Sequence, residues 1–197
     1  MDNTAQEQKA EKLILAFVGM PGAGKSEAAD YLATKGIPFI RFGDLTDETI
    51  KEMSLSLTPE NERIVREKLR KDLGMAAYAI KAKPKIDALM QDNQVIGLNG
   101  LRSWEEYLYL RKIYKGLVIV AVYADAHVRH DRLAAREDRP VSLEQSAIRD
   151  SAELEKLNMG GPIAIADYVI ENNSERLQPL QEKLDRLLAH LQIHRDD

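Results

Sequence analysis

The sequence predicts an α/β fold in which a parallel sheet of five strands lies between layers of helices. Five short runs rich in Val, Ile, Leu and Phe lack polar–apolar alternation, which is typical of strands buried on both faces. Helical patterns separate these runs, and such alternation favours a sandwich with right-handed crossovers. The predicted strands are 13–18, 37–42, 94–98, 117–123 and 168–171.

Several predicted helices carry a local signal for their start or end. Gly36 follows the first helix as a C-terminal cap, and Thr58 with Pro59 marks the start of the second. Ser103 and Glu106 have the spacing of a capping box. The last helix has leucines on one face, which predicts packing against the sheet. The predicted helices are 26–35, 58–73, 103–114, 126–136, 143–157 and 179–193.

A glycine-rich segment connects the first strand to the first helix, with the spacing G-x-x-x-x-G-K-S. Glycines let the backbone curl so that successive amides point at one phosphate group, and the helix adds its positive end. The lysine neutralises the β- and γ-phosphates, and the serine hydroxyl is a ligand for Mg²⁺. The segment therefore predicts a phosphate-binding loop formed by Gly19, Gly22, Ala23, Gly24, Lys25 and Ser26.

Ligands of an open parallel sheet gather at the carboxyl ends of its strands, so the residues that follow each strand are candidates for a ligand site. Asp44 follows the second strand and could accept a proton from a substrate hydroxyl, or cap the helix 45–51. Arg102 follows the third strand and could clamp an acceptor phosphate, or lie on the surface at a helix start. Ser103 is interpreted as a cap and Trp104 as a packing residue.

Arginines follow the fourth strand at positions 129, 132, 136 and 139, and a polar segment, 137–142, overlaps the end of this run. The pattern predicts a mobile lid whose arginines close on a transferring phosphate, and the alternative is ordinary surface charge. Arg66 and Arg70 share a helical face, so they either meet an anionic ligand or belong to a solvated face. His127 and His130 are predicted to be surface residues.

Composition limits the function classes. The chain has 197 residues, a formal net charge of −4 and no cysteine, which suits one domain and excludes disulfides and thiol chemistry. The acidic balance disfavours nucleic acid as a partner. No apolar run approaches the ~20 residues of a membrane helix, and residues 1–12 lack the pattern of a signal peptide. We therefore predict a cytoplasmic protein with a flexible N-terminal tail.

The phosphate-binding loop and the residues after the strands resemble those of the P-loop nucleoside and nucleotide kinases. The likeness is strongest to dephospho-coenzyme A kinase-like and adenylate kinase-like proteins, including an uncharacterised group common in archaea. The likeness spans about residues 13–173. It is carried by the following segments: 19–26, 36–38 leading to Gly43-Asp44, 99–103, Arg132-Leu133 through Arg136, Arg149-Asp150, and 166–170 through Asn172.

The resemblance implies a five-stranded sheet of order 2-3-1-4-5, a helical acceptor-binding region at 43–93 and a lid at 132–145, all within one domain, 13–197. It implies ATP and Mg²⁺ as cofactors. Asp44 becomes the acceptor-side carboxylate and Arg102 the acceptor clamp, while Arg132, Arg136 or Arg139 are lid residues. Asn172 follows the last strand, beside the expected position of the adenine.

Two departures from the family pattern affect the interpretation. Asn99-Gly100 stands where the archaeal group usually has Asp-Gly, so a carboxylate near the Mg²⁺ shell is missing. Asp47 stands where adenylate kinases carry an arginine, which argues against a standard adenylate kinase.

The leading hypothesis is an ATP-dependent kinase that phosphorylates a nucleoside monophosphate or dephospho-coenzyme A, acting as a monomer or homodimer. Lys25, Asp44, Arg102 and Arg136 are its predicted catalytic residues. The alternative is an ATP-binding regulatory protein or weak NTPase. A nucleic-acid end kinase is disfavoured by the net charge, and a GTPase switch by the missing Asn-Lys-x-Asp run.

Overall fold

A computed structural model describes residues 11–137 and 140–193. Most of the predicted N-terminal tail and Arg139 therefore lie outside the described residues. The strands are β1 Leu13–Val18, β2 Phe39–Arg41, β3 Val95–Asn99, β4 Leu117–Tyr123 and β5 Tyr168–Glu171. The helices are α1 Lys25–Thr34, α2 Phe42–Glu52, α3 Pro59–Leu73, α4 Ala77–Asp92, α5 Trp104–Ile113, α6 Ala126–Ala134, α7 Leu143–Glu155, α8 Gly160–Ala164 and α9 Gln178–His190.

The strands form one parallel sheet of order β2-β3-β1-β4-β5, which confirms the predicted fold and strand order. β1 is central, and all but its first residue, Leu13, are buried, which explains its continuous apolar sequence. Side chains of successive strand residues point to opposite faces, so β1 contributes residues to an apolar core on each face of the sheet. Ile14 belongs to a core shared with α2, α3, α4 and α5, whereas Leu15 belongs to a core shared with α1 and α9.

Some predicted boundaries were wrong by one or a few residues. β2 begins at Phe39 and not at residue 37, and proline has no N–H for a sheet ladder at position 38. Helix α2 begins at Phe42, directly after β2, whereas the sequence predicted a helix from residue 45. The region between β2 and β3 is nearly all helical, as expected, and consists of α2, α3 and α4.

Two caps fix the entry of helices whose starts the sequence predicted. Thr58 accepts a hydrogen bond from the amide of Asn61, and Pro59 is the first residue of α3. Ser103 accepts one from the amide of Glu106, while the Glu106 carboxylate accepts the amide of Ser103 in return. This capping box fixes the start of α5 next to the carboxyl end of β3, where Arg102 leaves the sheet.

Candidate active site

A cleft of about 590 Å³ lies at the carboxyl ends of the strands. It is lined by residues from the phosphate-binding loop, the β2–α2 and β3–α5 junctions, α6, α7 and the segment after β5. The lining residues are Gly19, Pro21, Gly22, Gly24, Lys25, Ser26, Glu27, Arg41, Gly43, Asp44, Asn99, Gly100, Arg102, Arg132, Ala135, Arg136, Arg149, Glu153, Met159, Asn172, Ser174, Glu175 and Leu177. The strand order places these segments together, because β1, β3 and β4 are neighbours.

The phosphate-binding loop needs glycine at its last turn. Gly24 is the N-cap of α1 with φ +105°, a backbone conformation that residues with a side chain rarely adopt. A Cβ at this position would also overlap the side-chain amide of Asn172. That amide donates a hydrogen bond of 2.9 Å to the carbonyl oxygen of Ala23, so the segment after β5 supports the loop directly.

The side chain of Lys25 bonds to its own loop. Its ammonium donates to the carbonyl oxygens of Gly19, at 2.6 Å, and Met20, at 3.1 Å. Burial, together with the positive charges of Arg102 and Arg149, lowers the pKa of Lys25 to about 7, while Glu153 opposes the shift. A phosphate group at this position would compensate both the burial and the neighbouring cations.

Ser26 is exposed to the cleft at the first turn of α1, where the first amides of a helix have no carbonyl acceptor within the helix. In the described ranges, no cluster of three His, Cys, Asp or Glu side chains could hold a metal by itself. Mg²⁺ keeps several waters and shares phosphate oxygens, so one hydroxyl with nearby polar oxygens is a suitable protein contribution. Ser26, Asn99 and Asp44 supply such oxygens in this cleft.

Several arginines line the part of the cleft next to Lys25, since Arg102 and Arg149 act on its charge. Arg102 donates to Glu153 at 3.2 Å, and Glu153 is buried. Burial lowers the pKa of Arg149, and Arg102, Arg136 and Arg66 add to this shift, which places four guanidinium groups near one another. In the described part of the chain, neither Arg136 nor Arg149 has an ion-pair partner. This end of the cleft therefore has a surplus of positive charge and favours an anionic ligand.

The structure brings together nearly all the residues that the sequence predicted. Gly19, Gly22, Gly24, Lys25, Ser26, Asp44, Arg102, Arg132, Arg136 and Asn172 line one cleft. Ala23 is buried beside it, and its carbonyl oxygen is bound by Asn172. The predicted lid residue Arg139 lies outside the described residues. The roles assigned to these residues remain predictions.

Four interpretations of individual residues change. Asp44 lies inside the first turn of α2, so it does not cap this helix, and its carboxylate is exposed in the cleft. Arg129 is buried and cannot act as a lid residue. His130 was expected at the surface, but it is mostly buried and contacts Asp150 at 3.0 Å. Arg66 pairs with Glu62 on α3, although it lies close enough to act electrostatically on Arg149.

Five charged residues of the cleft were not predicted as site residues: Glu27, Arg41, Arg149, Glu153 and Glu175. Arg41 ends β2 and pairs with Asp30, and its position near the end of a predicted strand was a signal that could have found it. Arg149 and Glu153 lie one turn apart on α7, so both project from the same helical face. Their spacing was visible in the sequence, but the direction in which that face points depends on tertiary packing.

The comparisons with known proteins agree with this geometry. The AAA domain family matches residues 15–156. A UPF0200 protein of Thermococcus onnurineus is 37% identical over 184 residues, which cover 90% of this chain and 99% of the relative. A UPF0200 protein of Methanocaldococcus jannaschii is 33% identical over 91% of this chain and 90% of its own length. The chain belongs to the AAA domain family and to the UPF0200 proteins.

Solved structures show the fold that this UPF0200 chain shares. A shikimate kinase from Bacteroides thetaiotaomicron has a TM-score of 0.58 and 14% identity, covering 92% of this chain and 99% of its own. A gluconokinase from Sinorhizobium meliloti has a TM-score of 0.53 and 18% identity, covering 93% and 98%. The chain therefore has a P-loop kinase fold. Within residues 11–137 and 140–193, no helix is long and apolar enough to cross a bilayer.

Proposed function

We propose that this UPF0200 protein is an ATP-dependent kinase that transfers the γ-phosphoryl group to a hydroxyl of a small anionic acceptor. One observation supports this proposal above the others: a single cleft connects the phosphate-binding loop to an exposed carboxylate, Asp44, and to the arginines 102, 136 and 149. Phosphoryl transfer depends mainly on positioning and charge neutralisation, and these residues supply both.

At the nucleotide end, the loop amides and Lys25 would hold the β- and γ-phosphates. Ser26 would hold Mg²⁺, with the uncharged side-chain oxygen of Asn99 in the same cleft. The ion, when bound, neutralises charge on the phosphate oxygens. Arg132 has one guanidinium nitrogen that is buried without a hydrogen-bond partner in the described ranges, and its other terminal nitrogen binds the Ser174 carbonyl at 2.6 Å. A nucleotide phosphate is a suitable partner for that free nitrogen.

At the acceptor end, Asp44 would orient the acceptor hydroxyl and accept its proton. The hydroxyl oxygen forms a bond to the γ-phosphorus, the bond from this phosphorus to the bridging oxygen breaks, and ADP leaves. The proton passes from Asp44 to solvent. Arg136 would stabilise the transferring phosphoryl group, together with Arg139 if the lid prediction holds. Arg102 and Arg149 would bind the anionic group of the acceptor.

The acceptor class is the finer part of this proposal. The resemblance found in the sequence favours a nucleoside monophosphate or dephospho-coenzyme A. The shikimate kinase from Acinetobacter baumannii, solved in complex with shikimate, has a TM-score of 0.58 and 17% identity, covering 93% of this chain and 97% of its own. Small hydroxy acids therefore belong in the same panel. Each class offers a hydroxyl and an anion.

A coupled assay of acceptor-dependent ADP release tests the proposal. We expect turnover with at least one member of a panel containing nucleoside monophosphates, dephospho-coenzyme A, shikimate and gluconate. Asp44→Asn should lower kcat by at least about 100-fold, the lower range of general base effects, while ATP binding changes little. Glu48→Gln is a matched control, because Glu48 lies one turn further along α2 and pairs with Lys85. Absence of turnover with every acceptor would contradict the proposal.

A second candidate function rests on Asn99, which lines the cleft at the end of β3 and carries no charge. With an amide at this position, the protein would bind ATP as a regulatory protein or weak NTPase. Tight ATP binding in calorimetry without turnover would favour this candidate. Asn99→Asp should then raise the rate of acceptor-dependent ADP release. An unchanged rate would contradict this second candidate function.

The remaining features belong to the same proposal. The chain would act as one kinase domain over residues 13–197, with 43–93 as the acceptor-binding region and 132–145 as the lid. It would function in the cytoplasm as a monomer or homodimer, without nucleic acid or membrane partners. Size-exclusion chromatography with light scattering would decide between monomer and dimer.

A further inference from the structure

The guanidinium group of Arg129 lies buried behind the phosphate-binding loop. Its Nη1 atom donates to the carbonyl oxygen of Pro21 at 3.1 Å, and its Nε atom donates to the carbonyl of Ala124 at 3.2 Å. The backbones also touch, because a Cβ at Gly22 would overlap the carbonyl oxygen of Arg129. Arg129 is therefore bonded both to the loop and to the segment that follows β4.

The same guanidinium group also binds helix α7. Its two terminal nitrogens donate to the two carboxylate oxygens of Asp150, at 2.9 and 2.7 Å. The Arg129 side chain is 8% exposed and that of Asp150 is 16% exposed, so water competes little with this pair. The Asp150 carboxylate also contacts the His130 ring at 3.0 Å, and this contact holds it against α6.

Asp150 is adjacent in sequence to Arg149, which lines the cleft, and Glu153 lines it one turn later. Arg129 itself does not line the cleft. Any influence of Arg129 on a ligand must therefore pass through Pro21 on one side and through Asp150 on the other. A planar guanidinium with five donors can make these bonds at once, whereas a lysine ammonium cannot reproduce the fork.

We propose that Arg129 and Asp150 are positioning residues that hold the phosphate-binding loop and Arg149 of α7 in a fixed relation. This inference goes beyond the proposed function and rests on it only for the identity of the phosphate ligand. Removing Arg129 releases both the loop and α7. Removing the charge of Asp150 releases α7 and leaves the bond from Arg129 to Pro21 in place.

The test uses ADP binding by calorimetry and amide hydrogen exchange on the full chain. The variants are Arg129→Met, Arg129→Lys and Asp150→Asn. Arg111→Met is the matched control, because Arg111 also donates to a backbone carbonyl, that of Leu117 at 2.8 Å, at the opposite end of β4. It does not line the cleft, so its loss affects stability without affecting the loop.

We expect Arg129→Met to weaken ADP binding about tenfold, a loss of the size of one charge-assisted hydrogen bond, and to speed exchange of residues 19–26. Arg129→Lys should weaken ADP binding several-fold. This variant keeps a positive charge beside Asp150, so it tests the proposal even where Arg129→Met does not fold. Asp150→Asn should speed exchange of 143–155 while the ADP affinity stays within twofold. Arg111→Met should leave both readouts unchanged.

The proposal is overturned if Arg129→Met and Arg129→Lys bind ADP as tightly as the parent chain, with unchanged exchange of residues 19–26. It is also overturned if Arg111→Met weakens ADP binding to the same extent, because the effect would then be general destabilisation. If the parent chain binds no ADP, the proposed function fails separately, and exchange of the ligand-free loop alone decides the role of Arg129.

Discussion

The lowered pKa of Lys25 has a measurable consequence for nucleotide binding. Burial, with Arg102 and Arg149, lowers the pKa of Lys25 to about 7, so close to neutral pH the free protein contains both protonated and neutral amine. A bound phosphate favours the protonated form and raises the pKa. Above pH 7, nucleotide binding must therefore take up a proton at this residue.

We predict that ATP affinity falls as the pH rises from 7 to 9, by up to about tenfold per unit. Below pH 7 the amine is protonated in both states, so its contribution to this dependence disappears. Calorimetry in two buffers of different ionisation enthalpy measures the proton uptake directly. Lys25→Met should bind weakly and lose this slope. Binding at pH 8.5 without proton uptake would contradict the assignment.

Arg149 provides a second prediction at the scale of a residue. It lines the cleft without an ion-pair partner in the described ranges, near Arg102. Arg149→Met should lower kcat/KM for an anionic acceptor at least about tenfold, the cost of one charge-assisted contact, while ADP affinity stays within twofold. Arg63→Met is the control, because Arg63 pairs with Glu60 and Glu67 on α3 and does not line the cleft. An equal loss in both variants would remove Arg149 from the acceptor site.

At the scale of an element, α5 shows how a helix start can hold a buried acidic side chain. The Glu106 carboxylate accepts the amides of Arg102 and Ser103, and the side chain is almost completely buried. Burial raises the pKa of Glu106 to about 7, and the two amides oppose this shift without cancelling it. The folded state therefore holds a proton at pH values where the unfolded chain has released it.

The sign of the effect on stability follows from this difference. The contribution of protonated Glu106 is full below pH 4.5 and is lost as the pH rises through about 7. Glu106→Gln keeps an acceptor for the amides but does not titrate. We expect the variant to be more stable than the parent chain at pH 8, by roughly 3 kcal/mol, and about equal at pH 4.5. Urea unfolding at both pH values measures this, with Glu144→Gln in the first turn of α7 as an exposed control. A constant difference at the two pH values would be inconsistent with titration.

At the scale of the whole molecule, the sheet separates two apolar cores, and α5 packs on one of them. Leu110 is fully buried in that core, whereas Leu108 of the same helix is 48% exposed. Leu110→Ala should lower the free energy of unfolding by about 2–5 kcal/mol, and Leu108→Ala by no more than about 0.5 kcal/mol. Urea denaturation compares the two within one helix. Equal losses would mean that α5 is not seated on the sheet as described.

The parts of the site that follow from local pattern could be predicted from the sequence. The phosphate-binding loop depends on Gly19, Gly24 and Lys25, which lie within one short segment of the sequence. Asp44 and Arg102 were found because each follows the end of a predicted strand. The burial of Arg129 could not be predicted, because its partner Asp150 is 21 residues away and the pair forms only when α6 packs on α7. The orientation of Arg149 and Glu153 depends on the same packing.

The helices α2, α3 and α4 leave the sheet after β2 and return to it at β3, and these two strands are hydrogen-bonded neighbours. The chain therefore departs and rejoins the sheet at adjacent points. The loops between these helices could change length without moving β2 away from β3, as long as the apolar faces of α2, α3 and α4 still cover the sheet. Relatives could therefore alter the wall of the cleft that contains Gly43 and Asp44 through this one insert, while the phosphate-binding loop and the arginines 102, 136 and 149 keep their places.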